Sequence, residues 1–503
     1  MNKQLMYDRF KQHFGYDSFR PGQESIIERL MDGRNVLGLL ATGGGKSVTY
    51  QLPALLLPGL TIVVSPLISL MVDQVQQLRA RKKIPATYLN SMQDATESRE
   101  ILKGISEGAY KLLYVSPEKL QQPYVQHVLN RAKVSLIAID EAHCISQWGH
   151  DFRTDYLRLP EVVKQLGAPP VLAVTATATT AVREEICRLF SIEKEDVVIK
   201  SLNRSNIAYD LIEVTDESER RLFVFDQIDR LQGPGIVYCS TRQAVDVLAA
   251  SYQLDGKRRV HGYHGGMNSM ERMLIQSQFL AGELDVIIAT NAFGMGIDKP
   301  DIRYVIHYQM PASLEAYAQE IGRIGRDGMP GYALLLFSWD DLQIHHHMLD
   351  KEYPTQAQVQ KYEQLCNSGV PLTSEALAMM DISEEMSALL AFYTERVLST
   401  YEVAATGESY PKAQIIWQET EKRKSFKQKK LAEMVSYVRG ESCLRTSINT
   451  YFGEADKRFD RYCCTRCGLS KNAYFQTNDK TIVKNDQSKW NLRQALDTLL
   501  PNK

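Results

Sequence analysis

No apolar run in this 503-residue sequence is long enough to cross a membrane. The longest apolar region, Leu52 to Val72, is broken by Pro53, Pro58, Gly59, Ser65 and Pro66, and reads as helix end, turn and strand. The N-terminus, MNKQLMYDRFKQHF, lacks the apolar core of a signal peptide. An excess of either charge is also missing: 59 Lys and Arg face 60 Asp and Glu, a net charge of −1. That excludes a uniformly basic binder, so any contact with nucleic acid has to come from local patches. Cysteine is sparse over most of the chain. Four of the 8 are scattered (Cys144, Cys187, Cys239, Cys366), and four cluster late (Cys443, Cys463, Cys464, Cys467). A cytoplasmic protein with one local metal site fits this better than a disulfide framework.

What is present is most concentrated between Asn35 and Gln51. Val36 to Ala41 reads as a short buried strand, Thr42-Gly43-Gly44-Gly45-Lys46-Ser47 follows at once, and Val48 to Leu57 can run on as a helix. Strand, glycine turn, Lys-Ser and helix make a phosphate-binding loop. Glycine lets backbone N–H groups close on phosphate oxygens, and the helix N-terminus adds its positive dipole end. Lys46 can reach the β- and γ-phosphates, and the Ser47 hydroxyl can bind Mg²⁺. Leu40 occupies the place where the usual pattern has its first glycine. Upstream, Phe19-Arg20-Pro21-Gly22-Gln23 precedes a helix over Glu24 to Met31, and the Gln23 amide suits the edge of an adenine.

Strand-like segments recur at Thr61–Ser65, Lys111–Val115, Leu136–Ile139 and Val171–Val174, with helices between them, which predicts a parallel α/β sheet. Asp140-Glu141-Ala142-His143 follows the third of these, at a strand's carboxyl end, where such sheets bind ligands. Asp140 can hold Mg²⁺ and Glu141 can polarise a water. The next segment, Cys144 to Arg153, carries Trp148 and Phe152 in a polar loop. Bases stack on such aromatics, so the loop can couple DNA to the ATPase site; a core tryptophan is the alternative. Thr175-Ala176-Thr177-Ala178-Thr179 suits a contact between domains.

A second α/β series begins after Asn206, with strands read at Gly235–Cys239, Val260–His264, Asp285–Ala289, Tyr304–His307 and Tyr332–Phe337. It has no glycine-Lys-Ser loop, so it should assist hydrolysis at the first one. Gln319-Glu320-Ile321-Gly322-Arg323-Ile324-Gly325-Arg326 supplies arginines three apart, expected on a helix, that can reach a γ-phosphate. Beyond it, Gln356–Cys366, Thr373–Met380 and Ser383–Val397 read as helices, followed by a short Leu398–Val403 segment. A winged-helix unit or generic helices would look alike here. Lys422 to Lys430 is strongly basic and serves equally as a phosphate-tracking face or a solvated helix.

FGYDSFRPGQ, TGGGKS, SPLISLM, DEAHCISQWGHDFR, VTATAT, ATNAFGMGIDKPDIR and QEIGRIGRDG together resemble the RecQ family of superfamily 2 DNA helicases, densely from Phe14 to Phe337. The resemblance implies two tandem RecA-like parallel-sheet domains (1–206, with the ATP site, and 207–340). A helical or winged-helix-like region (341–412), a zinc-binding region (413–470) and a tail (471–503) would follow. It implies ATP-driven 3′-to-5′ translocation on single-stranded DNA and duplex unwinding, in repair, recombination and replication. Arg20, Gln23 and Thr42 to Ser47 would bind nucleotide. Asp140 with Ser47 would hold Mg²⁺, Glu141 would activate water, and Gln319, Arg323 and Arg326 would complete the catalytic set, Arg326 as the finger. His143, Trp148, Phe152 and Arg153 would couple DNA to hydrolysis. Ile324 stands where the family has alanine.

Cys443, Cys464 and Cys467 match a RecQ zinc-binding pattern, with Cys463 the candidate fourth ligand; four thiolates suit tetrahedral Zn²⁺. The tail from Tyr474 is too short for the family's further HRDC domain, as in its short bacterial form. Expected partners are single-stranded and forked DNA and a single-stranded DNA-binding protein. A monomer in the cytoplasm at the nucleoid is expected. The competing functions are an RNA helicase and an ATP-switched nucleic-acid scaffold.

Overall fold

The structure, a computed structural model, describes residues 3–80, 82–146, 154–201, 203–294, 297, 299–368, 372–401, 412–454 and 463–476. The first sheet is built from β1 (Val36–Leu39), β2 (Leu60–Val64), β3 (Ala86–Leu89), β4 (Leu112–Val115), β5 (Val134–Ile139), β6 (Val171–Thr175) and β7 (Val197–Ile199). Their spatial order is β3-β4-β2-β5-β6-β1-β7, with every pairing parallel. The second holds β8 (Ile207–Glu213), β9 (Gly235–Tyr238), β10 (Val260–Tyr263), β11 (Val286–Ala289), β12 (Tyr304–His307) and β13 (Gly331–Phe337). Its order is β10-β11-β9-β12-β13-β8, again parallel. Parallel strands need crossover helices, which cover both faces and make the strands apolar throughout; β1, β2, β4, β6 and β13 are buried along their whole length. The architecture is the expected pair of RecA-like parallel-sheet domains.

The sequence reading missed β3, β7 and β8. β3 is Ala-Thr-Tyr-Leu and β7 is three residues long, so neither is a conspicuous apolar run. β8 carries Asp210 within it, and that carboxylate is fully buried. Its partners explain the burial: Tyr332 and Thr465 donate hydroxyl hydrogen bonds to it and Lys471 lies 2.5 Å away.

Beyond the second sheet the described residues up to 454 hold helices and no strand. They include Gln356–Asn367, Ser374–Ala378 and Glu384–Tyr401, where the three helices were expected. Leu398 to Tyr401, read as a separate segment, continues the helix that starts at Glu384, while Glu402 and Val403 lie outside the described residues. The helix Lys412–Arg439 follows, 28 residues and about 42 Å long at the α-helical rise. It enters one core through Ile416, among Val359, Tyr362 and Leu390, and another through Leu431, Met434, Tyr437 and Val438, on a face of the second sheet. Leu444, Ile448, Phe452 and Cys464 belong to that second core. The zinc-binding region is therefore packed on the second domain. The described residues contain no helix long and apolar enough to cross a membrane.

Candidate active site and zinc centre

The loop between β1 and the helix Val48–Leu56 turns tightly because Gly43 and Gly45 sit at positive φ, 80° and 77°. A side chain at Gly45 would put its Cβ 2.4 Å from Gln23 Nε2. The Gln23 amide is buried and donates to the carbonyls of Gly44 (3.2 Å) and Gly45 (2.9 Å), while its Oε1 accepts from Arg20 N–H at 2.9 Å. Arg20 also donates to Gly43 O. Both residues thus brace the phosphate loop in this structure.

Glu141 follows β5 in a left-handed conformation, φ 48° and ψ 47°, which costs a non-glycine residue about 1–3 kcal/mol. The turn aims its carboxylate into the loop. Lys46 Nζ donates to Glu141 Oε1 at 3.0 Å, and His143 Nδ1 lies 3.4 Å from Oε2. Burial opposes ionisation of Glu141, but Lys46, His143 and Arg323 outweigh it and hold the carboxyl below its ordinary range. Asp140 is buried beside it and pushed up to about 6 by that burial, with Lys46 opposing. Burial also works against the Lys46 cation, and Glu141 and Asp140 more than restore it, leaving it above its ordinary value. Two carboxylates and one ammonium in a partly buried cleft form a preorganised charge cluster, the kind of site that receives a phosphate and its cation. His143, itself buried, pairs through Nδ1 with Thr175 Oγ1 at 2.9 Å, and Thr175 Oγ1 accepts from Thr177 N–H at 3.2 Å. It thereby links the acidic pair to the end of β6.

The second domain reaches this cluster through the turns that follow the helix Leu314–Ile321. Arg323 and Arg326 do not lie on the helix that their spacing predicts; the helix stops at Ile321 and Gly322 to Asp327 is a run of turns, with Gly325 at φ 51°. The two arginines consequently separate. Arg323 is buried and donates to Gly294 O, held inside its own domain. Arg326 donates to Ile297 O at 2.6 Å, and its side chain lies over the phosphate loop, where a Cβ on Gly43 would meet its Cγ at 3.1 Å. Gln319 lines a cavity with Asn291, Ser313 and Arg323, facing the helix Lys412–Arg439. Trp148, Phe152 and Arg153 lie outside the described residues.

Arg204, in the segment joining the two sheets, was not singled out in the sequence, where it is one arginine in a polar stretch. It donates to Thr42 O (3.2 Å) and Gly322 O (3.4 Å) through Nη1, and to Ile324 O (2.9 Å) and Gly325 O (2.5 Å) through Nη2.

The late cysteines meet. The Sγ atoms of Cys443, Cys463, Cys464 and Cys467 all lie within 4.8 Å of one another. Cys443–Cys463, Cys464–Cys443 and Cys464–Cys467 are 3.4, 3.8 and 3.5 Å apart. A tetrahedral zinc with bonds of 2.3 Å has ligands about 3.8 Å apart, so the four sulfurs, that of Cys463 included, are spaced to fit the ion. Burial opposes ionisation of Cys443, but the Thr446 backbone N–H and the neighbouring thiols bring it down to about 7. Cys463 is pushed up to about 11, and Cys467 is raised as well, each first by burial and then by its neighbours, so a cation is what would let these two thiols ionise. The cluster hangs on β8: Tyr209 N–H donates to Cys463 O at 3.2 Å, and Tyr209 and Cys464 form a parallel bridge.

The basic stretch divides. Lys424 and Lys427 pair with Asp350 and Glu352, and Lys430 pairs with Glu315 and Glu433, which fastens the helix to its neighbours. Lys422, paired with Glu419 of its own helix, and Lys429 remain exposed.

This chain matches a DEAD/DEAH box helicase family over residues 20–186, a helicase conserved C-terminal domain over 222–328 and a RecQ zinc-binding family over 406–469. It is 40% identical to a probable ATP-dependent DNA helicase RecS of Bacillus subtilis over 93% of both chains. The chain belongs to the RecQ family of ATP-dependent DNA helicases. It is also 43% identical to the ATP-dependent DNA helicase RecQ of Pasteurella multocida, over 71% of this chain and just 56% of that protein. The fold is similar to a Mycobacterium smegmatis helicase Lhr bound to single-stranded DNA and AMP-PNP, with a TM-score of 0.55 and 16% identity over 77% of this chain and 56% of that one. It is likewise similar to the helicase MrfA bound to DNA and AMPPNP, with a TM-score of 0.56 and 18% identity over 68% of this chain and 52% of that one. The family match at the zinc-binding region and the four converging thiols agree on a zinc centre.

Proposed function

We propose that this RecQ-family helicase moves 3′ to 5′ along single-stranded DNA and unwinds forked duplexes in DNA repair, recombination and replication. The observation that supports it most is the meeting of the Lys46–Glu141–Asp140 cluster with Arg326 across the phosphate loop, so that one nucleotide site is built from residues 1–206 and 207–340 together. In this reading Lys46 binds phosphate and Gln23 and Arg20, now bracing the loop, turn toward the adenine end. Ser47 and Asp140 would hold Mg²⁺, which would neutralise phosphate charge. Glu141 orients and deprotonates the attacking water. His143 keeps Glu141 in register with Thr175. Arg326 stabilises charge on the transferred group, and Arg323 and Gln319 support it from inside the second domain. Trp148, Phe152 and Arg153 report bound DNA to the acidic pair over the few residues between them in the chain. The exposed Lys422 and Lys429 add phosphate contacts.

Strand displacement on duplexes with a 3′ or a 5′ single-stranded tail tests the direction. Unwinding of the 3′-tailed substrate alone supports the reading, and unwinding of the 5′-tailed substrate alone refutes it. ATP turnover with single-stranded DNA or RNA in excess tests the substrate; equal or greater stimulation by RNA would favour an RNA helicase.

A further inference from the structure

We infer that Arg204 is a positioning residue that sets the Arg326 turn on the phosphate loop, and that the zinc-binding region holds Arg204 in place through Arg445. The inference rests on the reading of Arg326 as the finger. One guanidinium carries both halves of the contact. Nη1 takes the Thr42 carbonyl of the phosphate loop and the Gly322 carbonyl, and Nη2 takes the carbonyls of Ile324 and Gly325 in the finger turn. The flat, rigid fork of arginine makes this possible; a lysine ammonium has the charge without the span. Asn206 adds a second hold on the same turn, donating to Gly325 O (2.9 Å) and Met329 O (2.8 Å). No side chain can be added where the two parts touch without crowding: a Cβ on Gly322 would lie 3.1 Å from Thr42 Oγ1. Loop and turn are therefore in close contact, and a shift between them would move the finger relative to a bound γ-phosphate.

Arg204 is itself anchored from the far side. Arg445 stands two residues after the ligand Cys443, is buried, and donates to Asn203 Oδ1 (2.9 Å), Arg204 O (2.5 Å) and Ile207 O (2.5 Å). The same helix, Leu444–Tyr451, brings Ile448, Asn449 and Phe452 to a small cavity shared with Thr42, Thr177, Arg204 and Gly322. Phe452 O, just past its end, accepts from Arg183 of the first domain at 3.1 Å, and Glu454 accepts from Ser201 at 2.6 Å. The zinc-binding region thus closes a three-way junction behind the ATP cleft, and hydrogen bonds run from Arg445 through Arg204 to the loop.

The test compares Arg204→Lys, Arg326→Ala, Arg445→Lys and the double variant Arg204→Lys with Arg326→Ala in the full-length protein. Readouts are kcat and KM for ATP, binding of a fluorescent non-hydrolysable ATP analogue, bound zinc and thermal melting. Arg204→Lys should lower kcat by about 10²-fold, the cost of a misplacement near 1 Å, with analogue binding nearly unchanged. The double variant should be no slower than Arg326→Ala alone, because both act through one group. Arg445→Lys should lower kcat while keeping its full zinc content. Wild-type kcat in folded Arg204→Lys, or independent losses that multiply in the double variant, would overturn the inference. If Arg204→Lys melts lower, the assay is repeated well below its melting temperature; full recovery of kcat there also overturns it. Wild-type turnover in Arg326→Ala would instead sink the finger reading itself, whatever Arg204 does.

Discussion

Lys46 Nζ donates to Glu141 Oε1 at 3.0 Å, so the cation assigned to phosphate is held by the carboxylate assigned to water. In the proposed mechanism an arriving phosphate would compete for the same ammonium and release Glu141 toward the water. Lys46→Ala should accordingly abolish ATP hydrolysis while leaving single-stranded DNA binding largely intact, since the proposed DNA contacts lie on other segments. Phosphate release and anisotropy of a labelled oligonucleotide check this, and wild-type turnover in the folded variant would refute the phosphate-loop assignment.

Arg326 and Arg323 should separate in their effects. Arg326→Ala should lower kcat by about 10³-fold or more with ATP binding changed less, as for loss of an arginine finger. Arg323→Ala removes a buried donor from Gly294 O and should lower stability by about 1–3 kcal/mol, the cost of an unmatched buried group. Kinetics and thermal melting measured on both distinguish them. A fully active Arg326→Ala would move the finger elsewhere.

Each of Cys443, Cys463, Cys464 and Cys467, changed singly to Ser, should lower bound zinc and melting temperature, because metal ligation is coupled to folding. The wild type should carry one equivalent. Metal analysis is direct: background zinc in protein never exposed to chelator would reject the centre, and full zinc in Cys463→Ser would remove that residue from the set.

Trp148→Ala tests the aromatic loop. If one base stack is lost, DNA binding should weaken by about 1–3 kcal/mol, and saturating DNA should no longer raise kcat. A core tryptophan would behave otherwise, with about 3–5 kcal/mol of stability lost. Normal melting with lost stimulation supports coupling; a strongly lowered melting temperature or normal stimulation defeats it.

Much of the nucleotide site was legible in the chain because its chemistry is local. TGGGKS and DEAH each place the needed groups within a few residues, at the end of an apolar strand, and the alternation of strands and helices specifies parallel sheets through crossover geometry alone. Four cysteines with one C-x-x-C pair announced a metal site for the same reason. Where the reading failed, the deciding partner was distant. β8 is held by β13 on one side and by the single Tyr209–Cys464 bridge on the other, and its buried Asp210 is tolerated only because Tyr332, Thr465 and Lys471 arrive from elsewhere. The Lys422 to Lys430 run could not be divided into lysines fastened to other helices and exposed ones without Asp350, Glu352 and Glu315.

The sequence by itself determined which residues can handle phosphate, metal and zinc, since residue type and short spacing set that chemistry. Only the tertiary structure decided which arginine faces the phosphate loop. Spacing of three is the same for a helix and for a chain of turns, but ending the helix at Ile321 turns Arg323 inward and Arg326 across the cleft. Arg204 and Arg445 have no local signature at all. Their role consists of donating to backbone carbonyls, which every residue possesses, so which carbonyls they meet is settled only when two sheets and the zinc-binding helix pack at one junction.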